Sequence, residues 1–244
     1  LAIRAGDLLL RLRDDVPRVH CVTNAVAQAF TANVLLALGA VPSMTLSPDE
    51  IEDFVVEADA LLVNLGTFDE GRRQATATAI GAAKKAGIPW VLDPVFIDRS
   101  PKRAAFARDL LDMRPDIIRM NQEEAETLFS GEARDQYGFH RFVVATTGPE
   151  DVISDGERSV SLSNGHGVMA KVTAMGCAGG AVMAAFRAVH DDGFEAAAAA
   201  LLVMGIAGEM AGETAAGPGS FKSSFLDELA ALTPDTLMSR ARIT

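Results

Sequence analysis

Residues 60–95 read ALLVNLGTFDEGRRQATATAIGAAKKAGIPWVLDPV and contain a strand, a helix and a second strand in succession. The two predicted strands, Ala60–Leu65 and Trp90–Val95, are short apolar runs, which is typical of strands buried on both faces. The segment between them, from about Asp69 to Ala86, has a helical pattern and ends at Gly87-Ile88-Pro89. A strand, a crossover helix and a parallel strand form a right-handed unit of a parallel sheet.

The same alternation extends over most of the chain, and it predicts an α/β fold with a mostly parallel central sheet and helices on both faces. Further strands are predicted at Val19–Val22, Ser43–Leu46, Asp116–Met120 and Phe142–Thr146, with a hairpin over Asp151–Ser163 that turns at Asp155-Gly156. Further helices are predicted between Asn24 and Gly39, and over Ala178–Val189, Phe194–Ala211 and Ser224–Leu232. Because no linker or repeat divides the sequence, residues 1–244 are predicted to form one domain.

Composition excludes several classes of protein. With 22 basic and 33 acidic residues the chain has a formal charge of −11, which argues against nucleic acid or an anionic membrane as a partner. Two cysteines, Cys21 and Cys177, form neither a disulfide framework nor a four-ligand zinc site, and they indicate a reducing cytoplasm. The most apolar run, Ala196 to Gly208, is shorter than the about 20 residues of a membrane-spanning helix. A buried helix is therefore predicted there.

Side chains suited to chemistry follow the predicted strands, and ligands bind parallel sheets at the carboxyl ends of the strands. In chain order they are Asn24, Met44, Asn64, Asp93, Arg119, Asn121, Glu124, Thr147 and Gly148, followed by Ala174-Met175-Gly176-Cys177 where a helix begins. Carboxylates can hold Mg²⁺, arginine neutralises phosphate, and amides at a helix start bind developing negative charge. The set indicates phosphoryl transfer, although it has neither Walker A nor GxGxxG spacing.

Nine segments carry a resemblance to a known family. They are VHCVTNAVAQAFTANVLLALGAVPSM (19–44), ALLVNLGT (60–67), WVLDPV (90–95), IIRMNQEE (117–124), VATTG (144–148), DVISDG (151–156), NGH (164–166), VTAMGCA (172–178) and GPGSF (217–221). In this order they resemble the hydroxyethylthiazole kinases, thiamine-salvage enzymes of the ribokinase-like superfamily. The resemblance implies a three-layer α/β/α sandwich without a lid. It also implies a homotrimer with active sites at subunit boundaries and transfer of the ATP γ-phosphate to 4-methyl-5-(2-hydroxyethyl)thiazole.

The resemblance also implies a role for each matching residue. Asn24, Met44 and Ala174 would contact the thiazole substrate, and Asp93 and Glu124 would place Mg²⁺. The nucleotide would be held by Arg119, Thr147, Gly148 and Gly176, and Cys177 would receive or orient the proton of the substrate hydroxyl. Cys177 occupies the place of an aspartate base in other ribokinase relatives. A thiol at a helix N-terminus is acidified by the helix dipole, so a lowered pKa is expected for Cys177.

The same residues also have structural explanations. Asn24 can cap the following helix, Met44 can be a core side chain, and Asp93 can begin a turn. Asn121 and Glu124 have the spacing of a capping box. For Cys177 the alternative is a buried small apolar residue, the usual state of a free cysteine.

Three departures from the family pattern bear on function. The family's GTGC at the helix start reads AMGC here, so Ala174 and Met175 are expected to narrow the substrate space. The family's DPVGxGAT reads DPVFIDRS (93–100), whose bulk is expected to alter the loop. The connection from Leu128 to Phe142 is short.

Two alternative functions therefore remain open: a ribokinase-like kinase for another small alcohol, and a non-catalytic relative that binds ligand without transfer. A dinucleotide-dependent dehydrogenase is disfavoured because no glycine fingerprint follows the first strand.

Overall fold

The computed structural model describes residues 1–130 and 142–244, and their strands form one eight-stranded sheet. The strand order is β2-β1-β3-β4-β5-β6-β7-β8, with parallel pairing from β2 through β6 and antiparallel pairing in the last two pairs. The strands are β1 Arg18–Val22, β2 Val41–Ser43, β3 Ala60–Asn64, β4 Trp90–Asp93, β5 Ile117–Asn121, β6 Val143–Thr147, β7 Asp151–Ser154 and β8 Ser159–Leu162. The predicted α/β class and mostly parallel sheet are confirmed.

Helices cover both faces of the sheet and form a three-layer sandwich. They are α1 Ala2–Asp15, α2 Gln28–Leu38, α3 Ile51–Val56, α4 Glu70–Ala86, α5 Pro101–Leu111, α6 Gln122–Leu128, α7 Met175–Val189, α8 Gly193–Thr214, α9 Pro218–Ala231 and α10 Pro234–Arg240. One apolar core lies between the sheet and α1, α2, α7, α8 and α9, and a second core lies between the sheet and α3 to α6. Helix α7 packs on β1, β3 and β4, so its N-terminus is carried by the middle of the sheet.

Helix α8 confirms the prediction of a buried apolar helix. It is the one helix of the described residues that is long and apolar enough to cross a membrane, and 83% of its most apolar window is buried inside the protein. Its alanines and leucines belong to the first core.

Two local predictions differ from the structure. The strand expected at Ser43–Leu46 is Val41–Ser43, an edge strand that pairs only with β1 and therefore tolerates Pro42. Helices α1, α3, α5 and α10 had not been predicted. In α1, Leu8, Leu9 and Leu12 are buried against the first core, which is the pattern of an amphipathic helix. The short connection predicted between Leu128 and Phe142 falls largely on residues 131–141, outside the described residues.

Candidate active site

Five polar side chains form a hydrogen-bonded row across the carboxyl ends of the parallel strands, here called the polar row. Asn24, which follows β1, donates through Nδ2 to Asn64 Oδ1 at 2.9 Å, and Asn64 donates to Asp93 Oδ2 at 2.6 Å. Nη1 of Arg119 lies 3.5 Å from Asp93 Oδ1, and its Nη2 donates to the Thr147 hydroxyl at 2.6 Å. The residues come from β1, β3, β4, β5 and β6, so their order along the row is the order of the strands.

The polar row exists because each of these strands changes from apolar to polar residues near its carboxyl end. Asn64 and Asp93 are direct partners in the register of β3 and β4, and Asn121 and Thr147 are partners in β5 and β6. Asp93 is fully buried, and Asn24 and Asn64 are nearly so. A buried polar group costs free energy unless it is hydrogen-bonded, so the members of the row stabilise one another.

Cys177 lies in the first turn of α7 and contacts the polar row. Its Sγ accepts a hydrogen bond from Asn24 Nδ2 at 3.3 Å. The predicted acidity of this thiol was wrong: burial, and next the negative charge of Asp93, raise the pKa of Cys177. These terms outweigh its hydrogen bonds from Asn64 and Asn24 and the attraction of Arg119. Cys177 is therefore a neutral thiol at physiological pH.

Asp93 and Glu124 are two buried carboxylates, and each has an arginine nearby: Arg119 beside Asp93, and Arg103 for Glu124. Burial raises the pKa of Asp93 to about 6; Arg119 opposes this rise, and the Glu124 carboxylate adds to it. The Glu124 oxygens accept from the backbone N–H groups of Phe96 at 2.7 Å and Asn121 at 2.9 Å. The second of these bonds, with the return bond from Glu124 N to Asn121 Oδ1, completes the predicted capping box of α6.

The donor chemistry, rather than an excess of negative charge, fits a divalent cation, because Arg119 lies beside Asp93 and the charge of Arg103 acts on Glu124. Asp93 and Glu124 supply carboxylate oxygens, and Mg²⁺ is commonly held by one or two carboxylates together with substrate phosphates and water. Within residues 1–130 and 142–244, no group of three or more His, Cys, Asp or Glu side chains could hold a metal by itself. A metal held by Asp93 and Glu124 would therefore need further ligands, such as water or the oxygens of a bound phosphate.

A cavity of about 590 Å³ opens beside the polar row. It is lined by the four residues predicted to bind nucleotide. Arg119 and Thr147 lie in the sheet, Gly148 directly follows β6, and Gly176 lies in α7. The other lining residues are Asn121, Pro149, Asp151, Asn164, Gly165, His166, Gly167, Met169, Ala170, Met175, Gly179, Leu201, Met204 and Gly205. One end of the cavity is thus cationic and polar, and the wall toward α8 is apolar.

The close approach of α7 to the sheet depends on Gly176. A Cβ at this position would lie 2.8 Å from Nη2 of Arg119. The guanidinium therefore rests directly on the backbone of the first turn of α7. This places the positive charge of Arg119 beside the backbone N–H groups of a helix start, and both favour an anion.

Two positions where the family resemblance puts glycine have left-handed backbone here. Ala174, directly before α7, has φ 70°, and Phe96, after β4, has φ 59°. Non-glycine residues rarely adopt this region, at a cost of about 1–2 kcal/mol. The protein therefore retains a glycine-type backbone at both positions without glycine. Met175 lines the cavity, as its predicted narrowing effect requires.

We expect Ala174→Gly to raise the free energy of unfolding by about 1 kcal/mol, because glycine relieves the left-handed strain at this position. Denaturation with urea would measure it. Val16→Gly is a matched control, since Val16 ends α1 with φ 49° at a distance from the site. Both variants should be stabilised, but only Ala174→Gly should change turnover. A destabilised Ala174→Gly protein would contradict the strain argument.

Met44 directly follows the edge strand β2, where it is half-buried and packs against the first core. The fully buried His20 holds this segment, because its ring nitrogens lie 2.8 Å from Ser43 Oγ and 3.1 Å from the Thr45 carbonyl. Burial lowers the pKa of His20 to about 4, so the ring is neutral. Met44 follows the carboxyl end of β2, on the same side of the sheet as the polar row, and its side chain packs against the first core.

Two residues of the site were not predicted to take part. Asn64 had been noted at a strand end without a role, and it links Asn24 to Asp93. Asp151 lines the cavity and accepts a hydrogen bond from Gly148 N at 3.0 Å, and burial raises its pKa to about 6. The sequence signal that could have identified Asp151 is its position three residues after Gly148.

Two arginines near the altered DPV loop differ in role; Arg99 lies in the loop and Arg103 in the following helix α5. Arg103 donates to the carbonyls of Val95 at 2.7 Å and Gly66 at 3.4 Å, so it ties together the loops after β4 and β3. Arg99 is exposed and pairs with its neighbour Asp98. Arg103 is thus a structural part of the site's rim.

Comparison with known proteins identifies the relatives of this chain. The model of the hydroxyethylthiazole kinase family matches residues 9–139 and 136–235. A probable hydroxyethylthiazole kinase of Agrobacterium fabrum is 46% identical over 242 residues, covering 99% of this chain and 95% of the relative. The hydroxyethylthiazole kinase of Clavibacter sepedonicus is 42% identical over 261 residues, covering 98% and 94%.

Solved structures agree with the sequence relatives. A hydroxyethylthiazole kinase protein from Pyrococcus horikoshii OT3 superposes with a TM-score of 0.94 at 34% identity, covering 98% of both chains. A ribokinase-like superfamily protein from Enterococcus faecalis has a TM-score of 0.69 at 13% identity, covering 91% of this chain and 89% of the other. The second match supports the fold alone.

Proposed function

This chain belongs to the hydroxyethylthiazole kinase family, and from that premise we propose how its own residues carry out the transfer. The reaction is phosphorylation of the hydroxyethyl group of 4-methyl-5-(2-hydroxyethyl)thiazole, a step of thiamine salvage. In our proposal ATP is the donor and occupies the cavity beside Arg119, and residues 1–244 act as one kinase domain. The thiazole alcohol lies near Asn24, Met44 and Ala174.

The observation that carries this proposal is the meeting of Arg119, Thr147 and the first turn of α7 at one end of the cavity. Phosphoryl transfer depends on positioning and on stabilising charge at the phosphate oxygens. Arg119 supplies a fixed positive charge because Asp93 and Thr147 hold its guanidinium on two sides. The Gly148 amide is already bonded to Asp151, so Gly148 would serve as a close-approach surface for the nucleotide.

Asp93 and Glu124 are proposed to hold Mg²⁺ when ATP is bound. The ion would supply charge neutralisation at the phosphates, which is its usual contribution to phosphoryl transfer. Asp93 is oriented for this by Asn64, and Glu124 by the N–H groups of Phe96 and Asn121. Asp93 already lies beside Arg119, the cation proposed to meet the phosphates.

Cys177 is proposed to orient the substrate hydroxyl. Its raised pKa makes it a neutral thiol, which is a hydrogen-bonding partner and a poor proton acceptor. Asn24 bonds the sulfur at 3.3 Å and fixes its position beside the polar row. A loose transition state needs little removal of the hydroxyl proton before transfer, so orientation can suffice.

We expect Cys177→Ala to lower kcat about tenfold, less than the about 10²–10⁴-fold typical of losing a general base. Steady-state kinetics with saturating ATP would measure it, and Cys177→Ser should retain more activity because its hydroxyl can still bond the substrate. The pH profile of kcat should keep its shape in both variants. Unchanged kcat in Cys177→Ala would remove the orienting role, and a loss above 10³-fold would point to proton transfer.

The proposed assembly is a cytoplasmic homotrimer with sites at the subunit boundaries. Two apolar side chains near the site support coverage by another copy: Val26 is 71% exposed two residues after Asn24, and Phe96 is 57% exposed three residues after Asp93. Sedimentation equilibrium of the wild-type protein would test this. A trimer mass is expected, and a monomer would overturn it.

The test of the reaction is release of ADP from ATP and Mg²⁺, with and without hydroxyethylthiazole, with the phosphorylated product identified by mass. ADP release that requires the thiazole would support both ATP as the phosphate donor and the thiazole alcohol as the acceptor. Release with another alcohol from a panel of small acceptors would mean that Ala174 and Met175 have changed the acceptor. Binding of ATP without release for any acceptor would indicate a non-catalytic relative.

A further inference from the structure

The loop formed by residues 164–169 is one wall of the cavity, and it lies in a groove of α8 lined by glycines. A Cβ at Gly205 would overlap with Asn164, one at Gly208 with Met169, and one at Gly212 with the His166 ring. These glycines are three and four residues apart, so they share one face of the helix. The loop is thus seated directly on the helix backbone, with Asn164, His166 and Met169 lining the cavity.

Glu209 lies within this groove and holds the loop by hydrogen bonds. It is only 8% exposed. Its Oε1 accepts from Gly165 N at 3.0 Å, and its Oε2 accepts from Asn164 Nδ2 at 3.0 Å. Both donors belong to residues of the cavity wall.

The last residues of the chain close over the same loop. The Arg242 guanidinium pairs with Glu209 and donates to the Ser163 carbonyl at 2.6 Å. The Arg242 backbone N–H donates to Asn164 Oδ1 at 2.8 Å, and Asn164 Nδ2 donates to the Arg240 carbonyl at 2.9 Å. These bonds join residues 76 to 79 positions apart in sequence.

We propose that Arg242 and Glu209 are positioning residues for the nucleotide: they hold residues 163–165 against α8 and so fix the cavity wall that faces Arg119 and Thr147. Neither side chain touches the cavity itself. Without Arg242, the nearly buried Glu209 carboxylate keeps only neutral hydrogen-bond donors, and the charge of Arg240 acts on it without a hydrogen bond, so its charge is less well compensated. The wall then relaxes, and the cavity loses the shape that admits the nucleotide. This inference rests on the proposed binding of ATP in this cavity.

Arg240 provides a matched control within the same segment. Its side chain makes a bidentate pair with Glu213, also on α8, at 2.6 and 3.3 Å. The Glu213 carboxylate is much more exposed than that of Glu209, and among the described residues the Arg240 side chain makes no hydrogen bond to residues 163–167; its charge acts on Glu209 without a hydrogen bond. Arg240→Ala therefore removes an ion pair between the same two segments and leaves the wall's own bonds in place.

The experiment measures the Kd of a non-hydrolysable ATP analogue with Mg²⁺ by calorimetry for wild type, Arg242→Ala, Arg242→Lys and Arg240→Ala. We expect the Kd to rise about tenfold in Arg242→Ala, to rise less in Arg242→Lys because the charge is kept, and to stay within about twofold in Arg240→Ala. The KM for the thiazole alcohol should be unchanged in all four. Equal Kd values in Arg242→Ala and Arg240→Ala would overturn the inference.

Hydrogen exchange separates this inference from the proposed function. In the ligand-free protein, the Gly165 amide should exchange faster in Arg242→Ala and in Glu209→Gln than in Arg240→Ala, because it loses or weakens its acceptor. Unaltered exchange in both variants would overturn the positioning of the wall. If the wild-type protein binds no nucleotide, the proposed ATP site fails, and with it the link to nucleotide affinity, whatever the exchange data show.

Discussion

Replacing Arg119 with alanine is expected to lower kcat/KM for ATP by about 10³-fold, since removing a preorganised charge from a transition state costs about 10²–10³-fold or more. Arg119 is the cation that meets Asp93, Thr147 and the start of α7. Among the described residues, Arg119 is the one side chain that hydrogen-bonds to both Asp93 and Thr147. Steady-state kinetics at varied ATP would measure the loss.

Arg119→Lys is the informative control for this prediction. Lysine keeps the charge, but it lacks the planar fork that reaches Asp93 and Thr147 together. Its kcat/KM should fall between those of wild type and Arg119→Ala. Wild-type kinetics in Arg119→Ala would exclude a role for this residue at the phosphates.

Arg119→Ala should also lower the free energy of unfolding, by an amount that depends on pH. Arg119 is the positive charge that lowers the pKa of the buried Asp93, so without it that pKa rises further above 6. At pH 8 an uncompensated buried carboxylate lowers the free energy of unfolding, by about 3 kcal/mol for a broken buried pair. At pH 5 Asp93 is protonated and the penalty is smaller. Urea denaturation at the two pH values would show the difference.

Asp93→Asn is expected to lower kcat by about 10³-fold and to raise stability at the same time. The loss follows from removing one of the two carboxylates proposed to hold Mg²⁺ and the partner that fixes Arg119. The gain follows from the pKa of Asp93, which burial raises from 3.8 to about 6. Asparagine keeps the shape and the bond from Asn64 without a buried charge.

The sign of the stability change follows from proton linkage. Between pH 3.8 and about 6 the folded protein binds the Asp93 proton and the unfolded chain does not, so this group makes the wild-type free energy of unfolding fall as pH rises. In Asp93→Asn this titrating group is absent, so the free energy of unfolding does not fall over this pH range for this reason. Relative to wild type, it should gain little at pH 4 and up to about 3 kcal/mol above pH 7 in metal-free buffer.

Asp15→Asn is a control for this series, because Asp15 is an exposed carboxylate of α1. It should change the free energy of unfolding by less than about 0.5 kcal/mol at any pH. A destabilised Asp93→Asn protein at pH 8 would mean that the bond to Arg119 outweighs the cost of burying Asp93. Wild-type turnover in that variant would remove Asp93 from the proposed metal site.

Much of the sheet could be predicted from sequence because its strands are uninterrupted apolar runs between clear helix boundaries. The register that aligns Asn64 with Asp93 could not be read from either strand alone, since it depends on pairing between residues 29 positions apart. Helix α1 was missed because no helix or strand was predicted over the first 18 residues. Pro42 obscured β2, which tolerates proline only because it lies at the edge of the sheet.

The structure brings several of the predicted site residues together, whereas the predicted acidity of Cys177 was wrong. Arg119, Thr147 and Gly176 do meet, but the family resemblance selected them, and their roles stay predictions. The acidity of Cys177 was wrong because the helix-dipole argument is local, whereas burial and the charge of Asp93 arise from the packing of α7 on the sheet. Glu209 and Arg242 gave no signal in the sequence, since they lie 33 positions apart and their side chains pair only in the folded chain.

The hydrogen bonds of the polar row can form only when the strands pair in the native register. Successive residues of a strand point to opposite faces, so a slip of one residue in any of the five contributing strands would turn its member of the row away from the neighbouring members. The row is completed only when segments from Asn24 to Thr147 have all paired in the native order. A ligand that engages both ends of the row therefore binds only the correctly registered sheet, and its binding can be used to count natively folded molecules in a refolding mixture.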